Sequence, residues 1–91
     1  MGMSERQQKI FEAIERERDW QDRKRGPLQD RGMSIGDWML VMEAELNEAK
    51  QGFVRGEPFQ ALEEVLQVVA VGVACLEYWG VVERPEISLT R

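Results

Sequence analysis

The sequence contains a single cysteine, Cys75, which lies inside an apolar run. One cysteine cannot form an intrachain disulfide bond, and a chain without disulfides fits best in a reducing cytoplasm. We therefore interpret Cys75 as a small core residue rather than as a reactive thiol.

Basic residues are few relative to acidic ones. The chain has 12 Lys and Arg against 17 Asp and Glu, which gives a formal net charge of −5. A negatively charged surface repels the phosphate backbone of DNA and RNA. We therefore expect no nucleic acid polymer among the partners of this chain.

The chain also lacks a long hydrophobic run. Its longest stretch without a charged residue, Val65 to Leu76, is shorter than the ~20 apolar residues that span a bilayer. The N-terminal region has no apolar segment of the kind found in secretory signals. We expect a soluble, cytoplasmic protein without a membrane partner.

Helix-capping patterns and apolar spacing predict three helices and no strand. Ser4 and Ser34 each begin a capping-box pattern ahead of apolar residues at helical spacing. Gly26 and Gly56 mark where the first two helices end. The expected elements of this single domain, residues 1–91, are helices at about 5–24, 35–54 and 58–79 and an extended tail, 81–91.

The third helix is apolar on nearly all sides, since Gln67 is the only polar residue between Val65 and Leu76. Such a helix must be surrounded by other elements, and two helices from one short chain cannot surround it well. The sequence therefore predicts an all-α fold, in which a three-helix protomer forms a helical bundle completed by oligomerisation. We expect a homodimer or a dimer of dimers.

Carboxylates interrupt the apolar faces of the second and third helices. At about 100° per residue, Glu45 falls within the apolar arc of helix two and Glu48 lies at its edge. Glu64 and Gln67 are likewise three residues apart and share one face of helix three. Antiparallel packing of the two helices would bring these four side chains together near the bundle core.

Three converging carboxylates would repel one another unless they were protonated or bridged by a cation. A hard divalent ion such as Mg²⁺ takes oxygen ligands and keeps several of its waters. Two alternatives stay open, because the carboxylates could face solvent or could pair with Arg and Lys of a neighbouring chain. Spacing does not choose among the three, since E-x-x-E is common on ordinary helices.

These motifs resemble those of the MazG-like members of the all-alpha nucleoside triphosphate pyrophosphatases. The family signature is E-E-x-x-E on one helix and E-x-x-D on the next. AELNE, residues 44–48, matches the first motif at its second and third acids and has Ala44 in place of the first. EVLQ, residues 64–67, matches the second motif at Glu64 and has Gln67 in place of Asp.

Short relatives in that family also carry a Q-D-x-K-W-G element and an E-L-x-Q-V-A-A-V run. Residues 21–24 are similar to the first element, with Arg25 in place of its Trp, and LEEVLQVVAVGVA is similar to the second. The resemblance covers roughly residues 15–83. It implies an all-helical bundle and hydrolysis of a nucleoside triphosphate, ribo- or deoxyribo-, to the monophosphate and pyrophosphate.

The resemblance also implies a Mg²⁺ cofactor, with Mn²⁺ as an alternative. Glu45, Glu48 and Glu64 would be the catalytic residues and metal ligands, and Gln67 would offer a neutral oxygen to the metal. Because Ala44 and Gln67 remove two acids from the signature, a second hypothesis stands beside the enzyme. In it, the chain is a catalytically inactive dimerisation, interaction or nucleotide-binding module.

Three residues are predicted to bind the substrate. Lys24 belongs to the only basic cluster and would meet the triphosphate, and Trp38 would stack on the nucleobase. Asp22 precedes Lys24 in the element similar to Q-D-x-K. The alternatives are ordinary ion pairs along the first helix for Lys24 and a place in the core for Trp38.

Overall fold

The structure is a computed structural model that describes residues 2–27 and 31–83. Within these ranges the chain forms three α-helices and no strand, which confirms the all-α fold class. The predicted helix boundaries agree within one residue, whereas positions 84–91 of the predicted tail lie outside the described residues. The helices are α1 (Glu5–Arg25), α2 (Ile35–Val54) and α3 (Pro58–Trp79).

Reciprocal capping fixes the start of α1 and of α2. The Gln7 N–H donates to Ser4 Oγ at 3.1 Å, and the Ser4 N–H donates to Gln7 Oε1 at 2.9 Å. Ser34 and Asp37 repeat this pair of bonds at 3.0 and 2.9 Å. The caps satisfy N–H groups that every helix start leaves without an intrahelical acceptor.

A short turn joins α2 to α3 and makes them antiparallel neighbours. Gly56 has φ 80°, a left-handed conformation that costs a glycine little. The Glu57 N–H donates to the Gly52 carbonyl at 2.9 Å and closes the turn. Gly52 is buried against Ala61, where a Cβ on the glycine would lie 3.7 Å from the Ala61 nitrogen. Two small residues thus let the helices approach closely at this end.

The core lies between α2 and α3, at the other end from that turn. It is built on Trp38, Val71 and Ala74, each at most 1% exposed. Cys75 packs against these residues and is partly buried, as a small core residue would be. The other partly buried side chains around the core are Met33, Val41, Met42 and Tyr78.

A buried arginine attaches α1 to α3. Arg18 is 5% exposed, and its guanidinium donates to both Glu77 oxygens at 3.1 and 3.0 Å and to Asp22 at 3.0 Å. Burial opposes its charge, yet these hydrogen bonds and the two carboxylate charges outweigh burial and raise the pKa of Arg18. Arg31 also donates to Asp22, at 2.9 Å. Charged side chains therefore hold α1 in place.

One face of the α2–α3 pair is apolar and uncovered by the described residues. It forms a groove of about 670 Å³. Phe53 is 69% exposed and Leu62 is 63% exposed on this face. The groove is lined by Leu46, Ala49, Lys50, Phe53, Val54, Pro58, Ala61, Leu62 and Val65.

Among the described helices, α3 alone is long and apolar enough to cross a membrane, judged by length and composition. The central helix of a soluble bundle has the same two properties. The length and composition of α3 therefore do not tell whether it lies in a bundle or in a bilayer. The absence of a membrane partner stays a prediction.

Candidate metal centre

The carboxylates of α2 and α3 converge. Glu45, Glu48 and Glu64 each present an oxygen, and the three oxygens lie within 4.8 Å of one another. Around one octahedral Mg²⁺, oxygen ligands are about 3.0 Å apart when adjacent and about 4.2 Å apart when opposite, since each bond is about 2.1 Å long. Side-chain movements that bring the three oxygens closer together would therefore let them bind one divalent ion. We call these three residues the acidic cluster.

The register of the helix pair explains this convergence. Gly52 and Ala61 are in contact near the turn. Because the two helices are antiparallel, residues at equal distances before Gly52 and after Ala61 lie beside each other. Glu48 lies one turn before Gly52, and Glu64 lies one turn after Ala61. Glu45 lies on the same face as Glu48 because residues three apart on a helix are neighbours.

Gln67 lies one turn beyond Glu64 and contacts the acidic cluster. With its amide nitrogen turned toward the carboxylates, it donates to Glu45 Oε2 at 3.0 Å and to Glu64 Oε2 at 3.3 Å. Amide orientation is assigned from such bonds, and this one gives both carboxylates a donor. A role as metal ligand requires the reverse orientation, with the amide oxygen facing the ion.

The surroundings of the acidic cluster make it unfavourable for all three carboxylates to be ionised at once. Glu45 and Glu64 are partly buried and Glu48 is exposed. Desolvation by burial raises the pKa of Glu64, and the hydrogen bond with Glu45 and the charges of Glu48 and Glu45 raise it further. The cluster thus favours the uptake of a proton or a cation.

A further carboxylate, Glu17 on α1, lies near enough to Glu45 to be affected by its charge, and the sequence analysis did not include it. Glu17 is partly buried, and desolvation and the charge of Glu45 raise its pKa. It lies three residues after Ile14 and four before Gln21, both of which are buried. That spacing puts Glu17 on the inner face of α1. The spacing can be read from the sequence.

Two of the three predicted substrate contacts have other partners. Asp22 accepts hydrogen bonds from Arg18 and Arg31. Lys24 Nζ lies 4.8 Å from the centre of the exposed Trp20 ring. Within the described ranges, no hydrogen bond or ion pair joins either residue to the acidic cluster.

The prediction that Trp38 contacts the substrate is wrong, because Trp38 lies in the core. Its side chain is in the core and only 1% exposed, so the ring offers no face on which a nucleobase could stack. Its indole N–H is buried without a hydrogen-bond partner among the described residues. The core alternative is therefore the one that fits Trp38.

A scan against protein-family models and searches of curated proteins and of solved structures each returned no match to this chain. The resemblance to MazG-like enzymes accordingly rests on the sequence motifs quoted above.

Proposed function

We propose that this chain is a MazG-like pyrophosphohydrolase that uses a divalent ion to hydrolyse a nucleoside triphosphate to the monophosphate and pyrophosphate. The convergence of Glu45, Glu48 and Glu64, with oxygens within 4.8 Å, carries this proposal. Carboxylates brought so close repel one another when ionised, and a bound cation relieves that repulsion. Mg²⁺ and Mn²⁺ are hard ions that take oxygen ligands and suit this set.

The ion pairs of the chain support a cation rather than a side chain as that charge. Arg and Lys pair with other acids in the described ranges, and none pairs with a member of the acidic cluster. The Arg and Lys residues of the described ranges therefore do not compensate the cluster. A divalent ion would do so, and exposure to solvent, a bound proton, or Arg and Lys of a neighbouring chain are the other ways to relieve the repulsion.

The side chains of the cluster would divide the work by position. When bound, the ion neutralises charge on the phosphate oxygens and makes a water more acidic. Glu45 and Glu64 are partly buried and Glu48 is exposed, and all three would hold the ion. Gln67 would hold the Glu45 and Glu64 carboxylates together through its amide nitrogen, or would turn its oxygen toward the ion.

We infer further that two copies associate through the apolar groove of α2 and α3. The groove keeps several large apolar side chains exposed, among them Phe53, Val54 and Leu62, and exposed apolar patches often mark protein–protein interfaces. A second α2–α3 pair packed on Phe53, Leu62 and Val65 would form a four-helix bundle with the acidic cluster outside that interface. Light scattering during gel filtration tests this, since Leu62→Lys should convert the dimer to a monomer.

A catalytically inactive binding module is the second candidate, and Gln67 is the observation that favours it. The amide can satisfy Glu45 and Glu64 by donating to both, so these carboxylates have a donor even without an ion. Such a module would bind a partner or a nucleotide through the same helices without hydrolysis.

Pyrophosphate release separates the two candidates. The assay uses a panel of ribo- and deoxyribonucleoside triphosphates with Mg²⁺ or Mn²⁺, and compares wild type with Glu45→Gln and Glu64→Gln. Glu43→Gln is the matched control, because Glu43 is an exposed acid on α2 outside the cluster. The enzyme predicts ion-dependent release that both cluster variants abolish and the control retains. No release by a folded wild type would favour the binding module.

A further inference from the structure

The hydrophobic core is built without α1. Its buried residues are Trp38 on α2 and Val71 and Ala74 on α3. The partly buried side chains packed around them also belong to α2, to α3 or to the segment just before α2. Within the described residues, no member of this core cluster comes from α1. The α2–α3 hairpin therefore has a core of its own.

The attachment of α1 to the hairpin is mainly polar. The buried residues of α1 are Ile14, Arg18 and Gln21, of which only Ile14 is apolar. Arg18 donates from Nε to Glu77 Oε1 at 3.1 Å and from its guanidinium to Glu77 Oε2 at 3.0 Å. Among the described residues, no other hydrogen bond or ion pair joins α1 to α2 or α3. One ion pair and one apolar side chain thus provide most of the attachment.

The first two turns of α1 add no burial to this attachment. Every residue from 5 to 12 is exposed, including Ile10 at 52% and Phe11 at 55%. This part of the helix is stabilised locally by its capping box and by the exposed Glu5–Lys9 pair. It therefore does not depend on the hairpin for its helical form.

The C-terminal end of α1 is held by a different contact. Arg31, in the segment that leads into α2, donates to the Gly26 carbonyl and to Asp22, each at 2.9 Å. Gly26 ends the helix with φ 83°, a conformation that favours glycine. These bonds join the end of α1 to the start of α2 without involving the core.

We infer that α1 opens from the α2–α3 hairpin as one unit, and that the Arg18–Glu77 ion pair is the contact that keeps it closed. Proteins open in contiguous units, and the units that bury few apolar side chains open at the lowest cost. Opening of α1 breaks this ion pair and exposes Ile14, whereas the core of the hairpin stays intact. It requires neither a bound ion nor catalysis.

Closure of α1 also carries an electrostatic cost. Glu17 precedes Arg18 in the chain, and burial and the charge of Glu45 raise the pKa of Glu17. The like charges of Glu17 and Glu45 favour the open form, and the unlike charges of Arg18 and Glu77 favour the closed one. The ion pair therefore sets how close α1 stays to the acidic cluster.

Hydrogen exchange followed by mass spectrometry tests the inference on the full chain, with peptides that resolve the three helices. Arg18→Gln should speed exchange in α1 by about tenfold or more, the usual loss for a hydrogen bond to a charged group. Exchange in α2 and α3 should change by less than about twofold, because their core is separate. Arg16→Gln is the matched control, since it removes the same charge from an exposed position of α1.

A second variant and a salt series test the ion pair itself. Glu77→Gln should also speed exchange in α1 alone, although Arg18 keeps its bond to Asp22. Raising KCl from about 0.05 M to about 1 M should speed exchange in α1 of the wild type, because the Glu77 side chain is 45% exposed and salt screens the pair. An apolar attachment predicts no such acceleration.

Three results would overturn the inference. Equal acceleration in all three helices would show that the chain opens only as a whole. Equal exchange in Arg18→Gln and Arg16→Gln would show that the ion pair does not hold α1. Loss of the whole helical signal in Arg18→Gln, measured by circular dichroism, would show that the hairpin cannot stay folded when α1 is released.

Discussion

Replacing Glu64 by glutamine should change stability in opposite directions with and without a divalent ion. Without the ion, Glu64 lies beside Glu45 and Glu48, with oxygens within 4.8 Å, and burial and these neighbours raise its pKa. Glu64→Gln removes the repulsion and keeps the shape of the side chain. We therefore expect the variant to be more stable than wild type in EDTA.

The size of this gain follows from the spacing of the oxygens. Two unit charges 4.8 Å apart repel by about 1 kcal/mol at the dielectric constant of water and by about 3 kcal/mol at an effective value of about 20. The cluster is partly exposed, so solvent screening favours the lower figure. For a domain of this size, about 1 kcal/mol raises Tm by about 4–8 °C.

Mn²⁺ should reverse the order of the two proteins. An ion present at about 100 times its Kd stabilises a native state that it alone binds by about 2.7 kcal/mol. This exceeds the lower figure, about 1 kcal/mol, for the repulsion that the wild type carries. Glu64→Gln has lost one charged ligand, so it should gain much less from the ion and end below wild type in Tm.

Thermal unfolding followed by circular dichroism measures both effects. The protein concentration is held constant because the Tm of an associating chain depends on it. Glu43→Gln, on the exposed side of α2, should melt like wild type in both buffers. A Glu64→Gln protein that is less stable than wild type in EDTA, or that gains as much from Mn²⁺, would refute the reasoning.

Three further predictions concern pH, the second signature position and a helix cap. Because burial and its neighbours raise the pKa of Glu64 above 4.5, the folded state holds that proton more tightly, so metal-free stability should fall as pH rises through the raised value. Denaturant titrations across that range measure this, and Glu64→Gln should flatten the profile. Gln67→Asp should tighten Mn²⁺ binding by calorimetry, because it adds a charge to the cluster, and unchanged affinity would exclude Gln67 from the ion's surroundings. Ser34→Ala removes the α2 cap and should cost about 1 kcal/mol in urea unfolding. An unchanged midpoint would mean that the cap bond contributes nothing.

The helices and the acidic cluster could be predicted because their determinants are local. Capping serines and stop glycines set the helix boundaries, and three-residue spacing put Glu45 with Glu48 on one face. Antiparallel pairing of α2 and α3 across a three-residue turn then places Glu64 beside Glu45 and Glu48.

Long-range pairings could not be predicted in this way. Arg18 and Glu77 are 59 positions apart, and nothing in the local pattern of either residue indicates the other. The approach of Glu17 to the cluster depends on that pairing, since it sets where α1 lies. The role of Trp38 was mispredicted for a different reason, because an aromatic ring at helical spacing can belong to a binding surface although it more often belongs to a core.

The turn at Gly56 also has a consequence for folding kinetics. The acidic cluster spans about 20 positions of chain, from Glu45 to Glu64, and closing so short a loop costs little entropy. Contacts that are local in sequence form early. The α2–α3 hairpin should therefore assemble its carboxylates before α1 docks, and a divalent ion present during refolding should accelerate the step that pairs these two helices.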